Sequence, residues 1–213
     1  MRHWLSSGSP FMRGLSAISD VALLNLLWVV CSLPLITIGA STSAIFACLI
    51  AREREEPCGT RAFFRAFASR FRRATALWGI VLCAGIILYA DQAFAGSAAV
   101  PFQQILLALY VAISLMGLVT LPFLFVFPAL DQRTIPQAIK NSFLLGVVNL
   151  PRTILILLVW CVPLVWILVS AQSFWHFAWF WIGFGFGAIF FFSVNLFKKP
   201  LGLALEKQED RES

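Results

Sequence analysis

Five stretches of this chain run without a single Lys, Arg, Asp or Glu: residues 21–51, 74–90, 104–130, 153–171 and 177–197. The hydrocarbon core of a bilayer is about 30 Å thick and takes about 20 apolar helical residues to cross. Each stretch is at or near that length. The chain is 60% apolar and 12% charged, against about half and about a quarter in soluble domains. A water-soluble fold of 213 residues could not hide so much apolar surface, so lipid is the expected solvent. The expected fold class is all-α: a polytopic helical membrane protein with about five hydrophobic helices, its first partner the lipid bilayer.

The charges lie between these stretches. All sixteen Lys and Arg fall outside the apolar spans, seven of them within residues 52–73. Segments 52–73, 131–152 and 198–213 carry basic residues, whereas 91–103 and 172–176 carry none. That alternation follows the positive-inside rule and predicts a multi-pass plasma-membrane protein with a cytoplasmic C-terminus. It also accounts for the net charge of +6 without nucleic acid, which is not expected as a partner. Three parts result: an interfacial segment at 1–17 with Trp4, Phe11 and Met12, one helical membrane domain at 18–200, and a charged cytoplasmic tail at 201–213. The polar residues before the first apolar run are too many for a typical cleaved signal peptide, so that run is expected to stay as an anchor.

Two cytoplasmic amphipathic helices are expected between the spans. After the turn at Pro57-Cys58-Gly59, Thr60 is placed to cap a helix over 60–73. There Phe63, Phe67 and Phe71 recur at helical spacing beside a basic face of Arg61, Arg65, Arg70, Arg72 and Arg73. Rings on one side and guanidinium groups on the flank suit a helix lying in the headgroup layer. A second such helix is expected over 136–149, after Pro136 and ending near Asn149-Leu150-Pro151.

The first apolar run holds its own breakers, CSLPLITIGASTSA at 31–44. Pro34 removes a helical hydrogen bond and Gly39 relaxes the backbone. Ser41, Thr42 or Ser43 can then accept from the N–H groups of a restarting helix. Freed backbone groups are costly in hydrocarbon unless satisfied, so such a break packs against other helices or lines a cavity. Pro34, Thr37, Gly39, Ser41 and Thr42 are accordingly the candidate break or cavity residues. Broken helices form substrate sites in transporters, yet Pro, Gly and Ser also serve as kinks and packing surfaces. The run spans 31 residues, about 46 Å as one helix. One broken crossing and a re-entrant hairpin both fit, and they put the N-terminus on opposite sides.

Site chemistry is sparse. No ionisable residue lies at mid-depth, where a proton-coupled carrier needs one. Asn25, Gln103, Gln104, Asn149 and Asn195 suit hydrogen bonding between helices. The cysteines at 31, 48, 58, 83 and 161 form no C-x-x-C pair, and neither a disulfide framework nor a zinc site is expected. His176, with Trp175, Trp179 and Trp181, belongs to an aromatic belt. No nucleophile elbow, H-E-x-x-H or phosphate loop appears. No catalytic, cofactor-binding or metal-ligating residues are therefore expected, and the chain is not expected to be an enzyme. Gly183 and Gly187 form a G-x-x-x-G, a motif that lets another helix approach closely.

Three stretches together, NLLWVVCSLPLITIGASTSAIFA (25–47), TRAFFRAFASRFRRAT (60–75) and IKNSFLLGVVNLPRTI (139–154), resemble the YesL-type family of bacterial membrane proteins, a domain-of-unknown-function family. The resemblance covers roughly residues 15–200. It brings no catalytic residues. It implies an accessory link to carbohydrate uptake, since family members are often encoded beside sugar-import ABC systems. The expected function is thus an accessory or regulatory component that meets sugar ABC-importer permease subunits. The alternative is a small carrier or channel for an uncharged solute, with the 34–43 break lining its path.

Overall fold

The structure is a computed structural model. It describes residues 10–54, 56, 58–95, 100–127 and 134–197, with side chains for 18–54, 56, 58–90, 104–127 and 134–197. The side chains of the segment 1–17, Pro57, Asp91, Gln103, Pro128, Asp131, Lys198, Lys199 and the tail 201–213 lie outside the described residues.

The fold is all-helical, and five helices are long and apolar enough to cross a membrane. Helix α1 is Pro10–Ser32; a 3₁₀ turn, Leu35–Thr37, leads into α2, Ile38–Glu53. Helix α3 is Thr60–Ala95, α4 Val100–Leu124, α5 Ile135–Val148 and α6 Leu150–Val169. The short α7, Ala171–His176, precedes α8, Ala178–Phe197, which contains one π-helical turn at Trp181–Gly185.

Whether residues 21–51 cross once or double back is settled by three contacts. Asp20 pairs with Arg52 at 3.5 Å, Trp28 Nε1 donates to Thr42 Oγ1 at 3.2 Å, and the hydroxyls of Ser32 and Ser41 lie 2.6 Å apart. As the α1 position rises, its α2 partner falls, so the two helices are antiparallel arms of a hairpin. The tip carries Leu33, Leu35 and Ile36, each at least 66% exposed. Such a tip is stable in lipid and costly in water. The hairpin therefore enters the apolar layer and returns to the side where it began. Together with the 3₁₀ turn, α2 forms one of the five candidate spans, Leu35–Glu53.

Helix α3 departs from the sequence expectation. Instead of an amphipathic helix at 60–73 followed by a span at 74–90, one helix of 36 residues runs unbroken. No proline or glycine interrupts residues 60–78, and Ala and Arg favour helix. Thr60 is the first helical residue and not the cap; Gly59 O accepts from Phe63 N at 2.9 Å, which makes Gly59 the cap. The phenylalanine stripe turns inward. Phe63, Ala66, Ala74 and Leu77 are buried, and Phe67 packs partly against the core. The hairpin supplies an apolar partner for this face.

Helix α5 matches the second expected amphipathic helix within a residue or so. Thr134 caps it, its N–H donating to Gln137 Oε1 at 3.4 Å, with Pro136 in the first turn. The buried residues Ala138, Ser142 and Gly146 recur every fourth position and let α5 lie close on α4. A Cβ at Gly146 would come within 2.7 Å of Val119 Cγ1. Helices α6 and α8 run antiparallel: Trp160 Nε1 donates to Ser193 Oγ at 3.1 Å, while Trp166 meets Phe177 and Trp181. Phe46, Phe123, Phe190 and Phe197 join the hairpin, α4 and α8 in one aromatic core. Helices α4 and α6 keep long exposed apolar faces, including Ile105, Leu109, Leu115, Leu158 and Leu168, as lipid-facing helices do.

Candidate functional site

The broken helix is a packed junction. Pro34 adopts an extended conformation (φ −75°, ψ 114°), and Thr37 N closes a turn onto Pro34 O at 2.9 Å. The hydroxyl of Thr37 lies 2.6 Å from Cys31 O and 2.7 Å from Pro34 O, and Trp78 Nε1 donates to Leu35 O at 2.7 Å. The first of these contacts satisfies a carbonyl that the end of α1 leaves open, and the others satisfy carbonyls of the turn itself. Ser41 acts in the opposite sense to the one the sequence suggests. Ser41 Oγ donates back to Thr37 O and Ile38 O, at 3.1 and 3.0 Å, instead of accepting from N–H groups. Thr42 accepts from Trp28, and Ser41, Thr42 and Ser43 are all buried. Gly39 lies against Ala74 O and Trp78 Cβ, the latter 2.6 Å from where its own Cβ would sit. Of the five break residues, Gly39 packs on α3, Ser41 and Thr42 are buried between the hairpin's arms, Thr37 is half-buried, and Pro34 stays exposed at the tip.

The second seam is at Asn25. This side chain is fully buried and enters the widened turn of α8: Nδ2 donates to Trp181 O at 3.0 Å and Ile182 O at 2.6 Å, and Gly187 N donates to Oδ1 at 2.6 Å. A π turn loosens the regular ladder, and the amide fills the gap as a surrogate for backbone. Trp181 accordingly belongs to the protein interior, at 5% exposed, and not to the belt; Trp175 and Trp179 are exposed. Gly187 has Asn25 Cβ 2.8 Å and Val21 O 2.9 Å from the position of an added Cβ, whereas Gly183 meets nothing within 4 Å. Close approach in the G-x-x-x-G is therefore a property of Gly187. Gly187→Ala is expected to lower stability by about 1–3 kcal/mol and Gly183→Ala to stay within about 0.5 kcal/mol. Thermal melts of the two variants in detergent check the contrast.

Polar surface gathers elsewhere, in an open cleft of about 910 Å³ between the end of α2 and the start of α3. Arg54, Arg61, Arg65 and Arg70 line it, with Glu56, Cys58 and Ser69, over a floor that includes Ala47, Ala51, Ala62 and Ala66. Helical spacing explains the set: on α3, residues 61, 62, 65, 66, 69 and 70 share the face turned to α2. Of the five expected basic-face residues, Arg61, Arg65 and Arg70 enter the cleft; Arg72 and Arg73 are exposed outside it. Arg70 Nη1 lies 3.3 Å from Ser69 Oγ. Arg54, Cys48 and Cys58 were not foreseen there, because only the pairing of α2 with α3 brings them to it.

Cys58 has chemistry of its own. The adjacent Cys48 thiol and, to a lesser degree, Arg52 hold it below the ordinary thiol range against the opposite push from burial and from Asp20. A hydrogen bond to the anionic form favours that form, and the thiolate is the nucleophile. Removing the donor in Cys48→Ala should raise the Cys58 pKa, so alkylation of Cys58 falls at a given mildly alkaline pH and recovers at higher pH. Peptide-resolved labelling rates against pH check this. Among the described residues, no group of three or more His, Cys, Asp or Glu could hold a metal ion.

Comparison with known families fits this anatomy. Residues 21–92 match the model described as protein of unknown function, DUF624. That segment, about a third of the chain, is similar to DUF624 proteins. It contains both arms of the hairpin from Val21 and most of α3, so both the packed break and the cleft lie inside the DUF624 match. The match overlaps two of the three stretches in which the sequence resembles the YesL-type family. No curated protein and no solved structure matches the chain.

Proposed function

We propose that this protein is a non-enzymatic accessory or regulatory component of a carbohydrate importer of the ABC type, with its basic end in the cytoplasm. One observation carries the choice over a small carrier. The hydroxyls of Thr37, Ser41 and Thr42 are spent on bonds within the molecule, and the unpaired hydroxyl of Ser43 is fully buried, which leaves the break little polar surface to offer a passing solute. A carrier for sugars needs such groups along its path. The polar surface is instead concentrated in the cleft beside α2 and α3, while α4 and α6 present apolar faces that suit lipid or the helices of a permease. The link to sugar import rests on the YesL-type resemblance.

The decisive experiment is affinity purification in mild detergent after crosslinking in cells. Importer permease subunits are expected in the eluate; repeated recovery of the protein alone would sink the proposal. Purified protein in liposomes is expected to pass no labelled sugar above empty vesicles, and flux above that level would favour the carrier. The hairpin also makes a topological prediction. Its two ends lie on one side, so cysteines introduced at Ser19 and at Thr60 should both resist a membrane-impermeant maleimide in intact cells. Labelling of either from outside would reverse the orientation.

A further inference from the structure

We infer that the cleft between α2 and α3 is a binding site for a phosphate ester, with the phosphate held by Arg54, Arg61 and Arg65 beside Arg70. This goes beyond the importer association and stands whichever partner that search finds.

The inference begins with charge. Four guanidinium groups line one cleft, and Glu56 is the only carboxylate among its described lining residues. Guanidinium groups offer planar pairs of donors that match phosphate oxygens two at a time. Placing them around one concavity is unfavourable through mutual repulsion, and a bound anion relieves that cost. Arg54, Arg61 and Arg65 are exposed side chains that can reorient toward a ligand, while Arg70 is half-buried in the wall. Arg52, by contrast, is engaged away from the cleft, paired with Asp20 and set over the Phe191 ring.

Shape narrows the ligand class. The volume is near the upper end of ordinary small-molecule sites, about 300–1,000 Å³, so inorganic phosphate alone would leave most of it empty. Ala47, Ile50, Ala51 and Ala62 give a smooth apolar wall along which an organic body can lie while its phosphate faces the arginines. A water-soluble phosphate ester and a phospholipid headgroup share this chemistry, and the cleft adjoins two apolar helices, so both sources reach it. Cys58 in the wall is a built-in reporter, since a seated ligand shields its thiol.

The test uses the full chain in dodecyl maltoside micelles, which carry no phosphate, and follows N-ethylmaleimide labelling of Cys58 by peptide mass spectrometry. One arm adds glucose 6-phosphate; the other adds phosphatidylglycerol to the micelles; potassium chloride matches ionic strength in both. We expect labelling to slow by about tenfold in at least one arm when the probe is at roughly ten times its Kd. Slowing in the first arm assigns a soluble ester, and slowing in the second a headgroup. The Arg61→Gln/Arg65→Gln double variant should lose the protection, Arg65→Gln alone should weaken it, and Arg72→Gln/Arg73→Gln should keep it. No slowing in either arm, equal slowing by potassium chloride, or protection that survives the double substitution overturns the inference. Because no importer is present, such a failure leaves the accessory proposal untouched.

Discussion

Replacing Asn25 by leucine should cost this protein more stability than any other single side-chain loss outside the hairpin break. Three hydrogen bonds vanish at once, to Trp181 O, Ile182 O and from Gly187 N, in a place that is fully buried. Leucine is similar in size, so packing volume changes little and the loss is polar. Each buried backbone group left without a partner costs about 1–3 kcal/mol. Hydrogen bonds inside membrane proteins average nearer 0.6 kcal/mol in measured cycles. Between these limits the expected total is about 2–5 kcal/mol, or roughly 10 °C in melting temperature for a chain of this size. Asn25→Asp separates polarity from shape: it keeps an acceptor for Gly187 N but sets oxygen against the two carbonyls. Both variants should melt early in detergent. If both melt within about 2 °C of the parent, on the scale of about 2–4 °C per kcal/mol, the amide does not hold the π turn.

A comparable loss is expected at Gly39, through sterics. A Cβ there would run into the Ala74 carbonyl oxygen and would lie 2.6 Å from Trp78 Cβ. Both obstacles are fixed close to the α3 backbone, so neither can swing aside as the end of a flexible side chain could. Gly39→Val must therefore push α2 away from α3. That movement also strains the bond from Trp78 Nε1 to Leu35 O, which steadies the 3₁₀ turn. Overpacking usually costs about 1–3 kcal/mol, and a clash on backbone together with a weakened hydrogen bond places this variant at or above the top of that range. Gly39→Val should be poorly recovered or polydisperse on size exclusion, with Gly39→Ala between it and the parent. A monodisperse Gly39→Val with an unchanged melt would show that the two helices are not in this contact.

These residues mark where sequence reasoning succeeds and where it stops. Asn25 stands out in the sequence as a neutral polar side chain in an apolar run, which suffices to suggest helix-to-helix hydrogen bonding. Nothing local says that its partners lie more than 150 residues away, in a turn whose π geometry is not encoded by any familiar residue pattern. Gly39 is legible as a breaker, but its close approach to Ala74 is not. The basic helix shows the same limit, since neither its continuation to Ala95 nor the packing of its rings is local. Its Phe stripe and arginines suit a membrane surface equally well until a partner for the rings is known, and the hairpin is that partner.

Hydrophobic runs mark which stretches of the chain enter the bilayer, because the cost of burying charge in hydrocarbon is local and additive along the chain. The order of basic and bare loops says in the same way which ends share a side. Both are properties that a residue carries alone. The doubling back of residues 21–51, the inward turn of the break's hydroxyls and the gathering of Arg54, Arg61, Arg65 and Arg70 around one cleft depend on which helix meets which. Such pairings are set by shape and by hydrogen bonds between distant segments, so they exist only once the chain has folded.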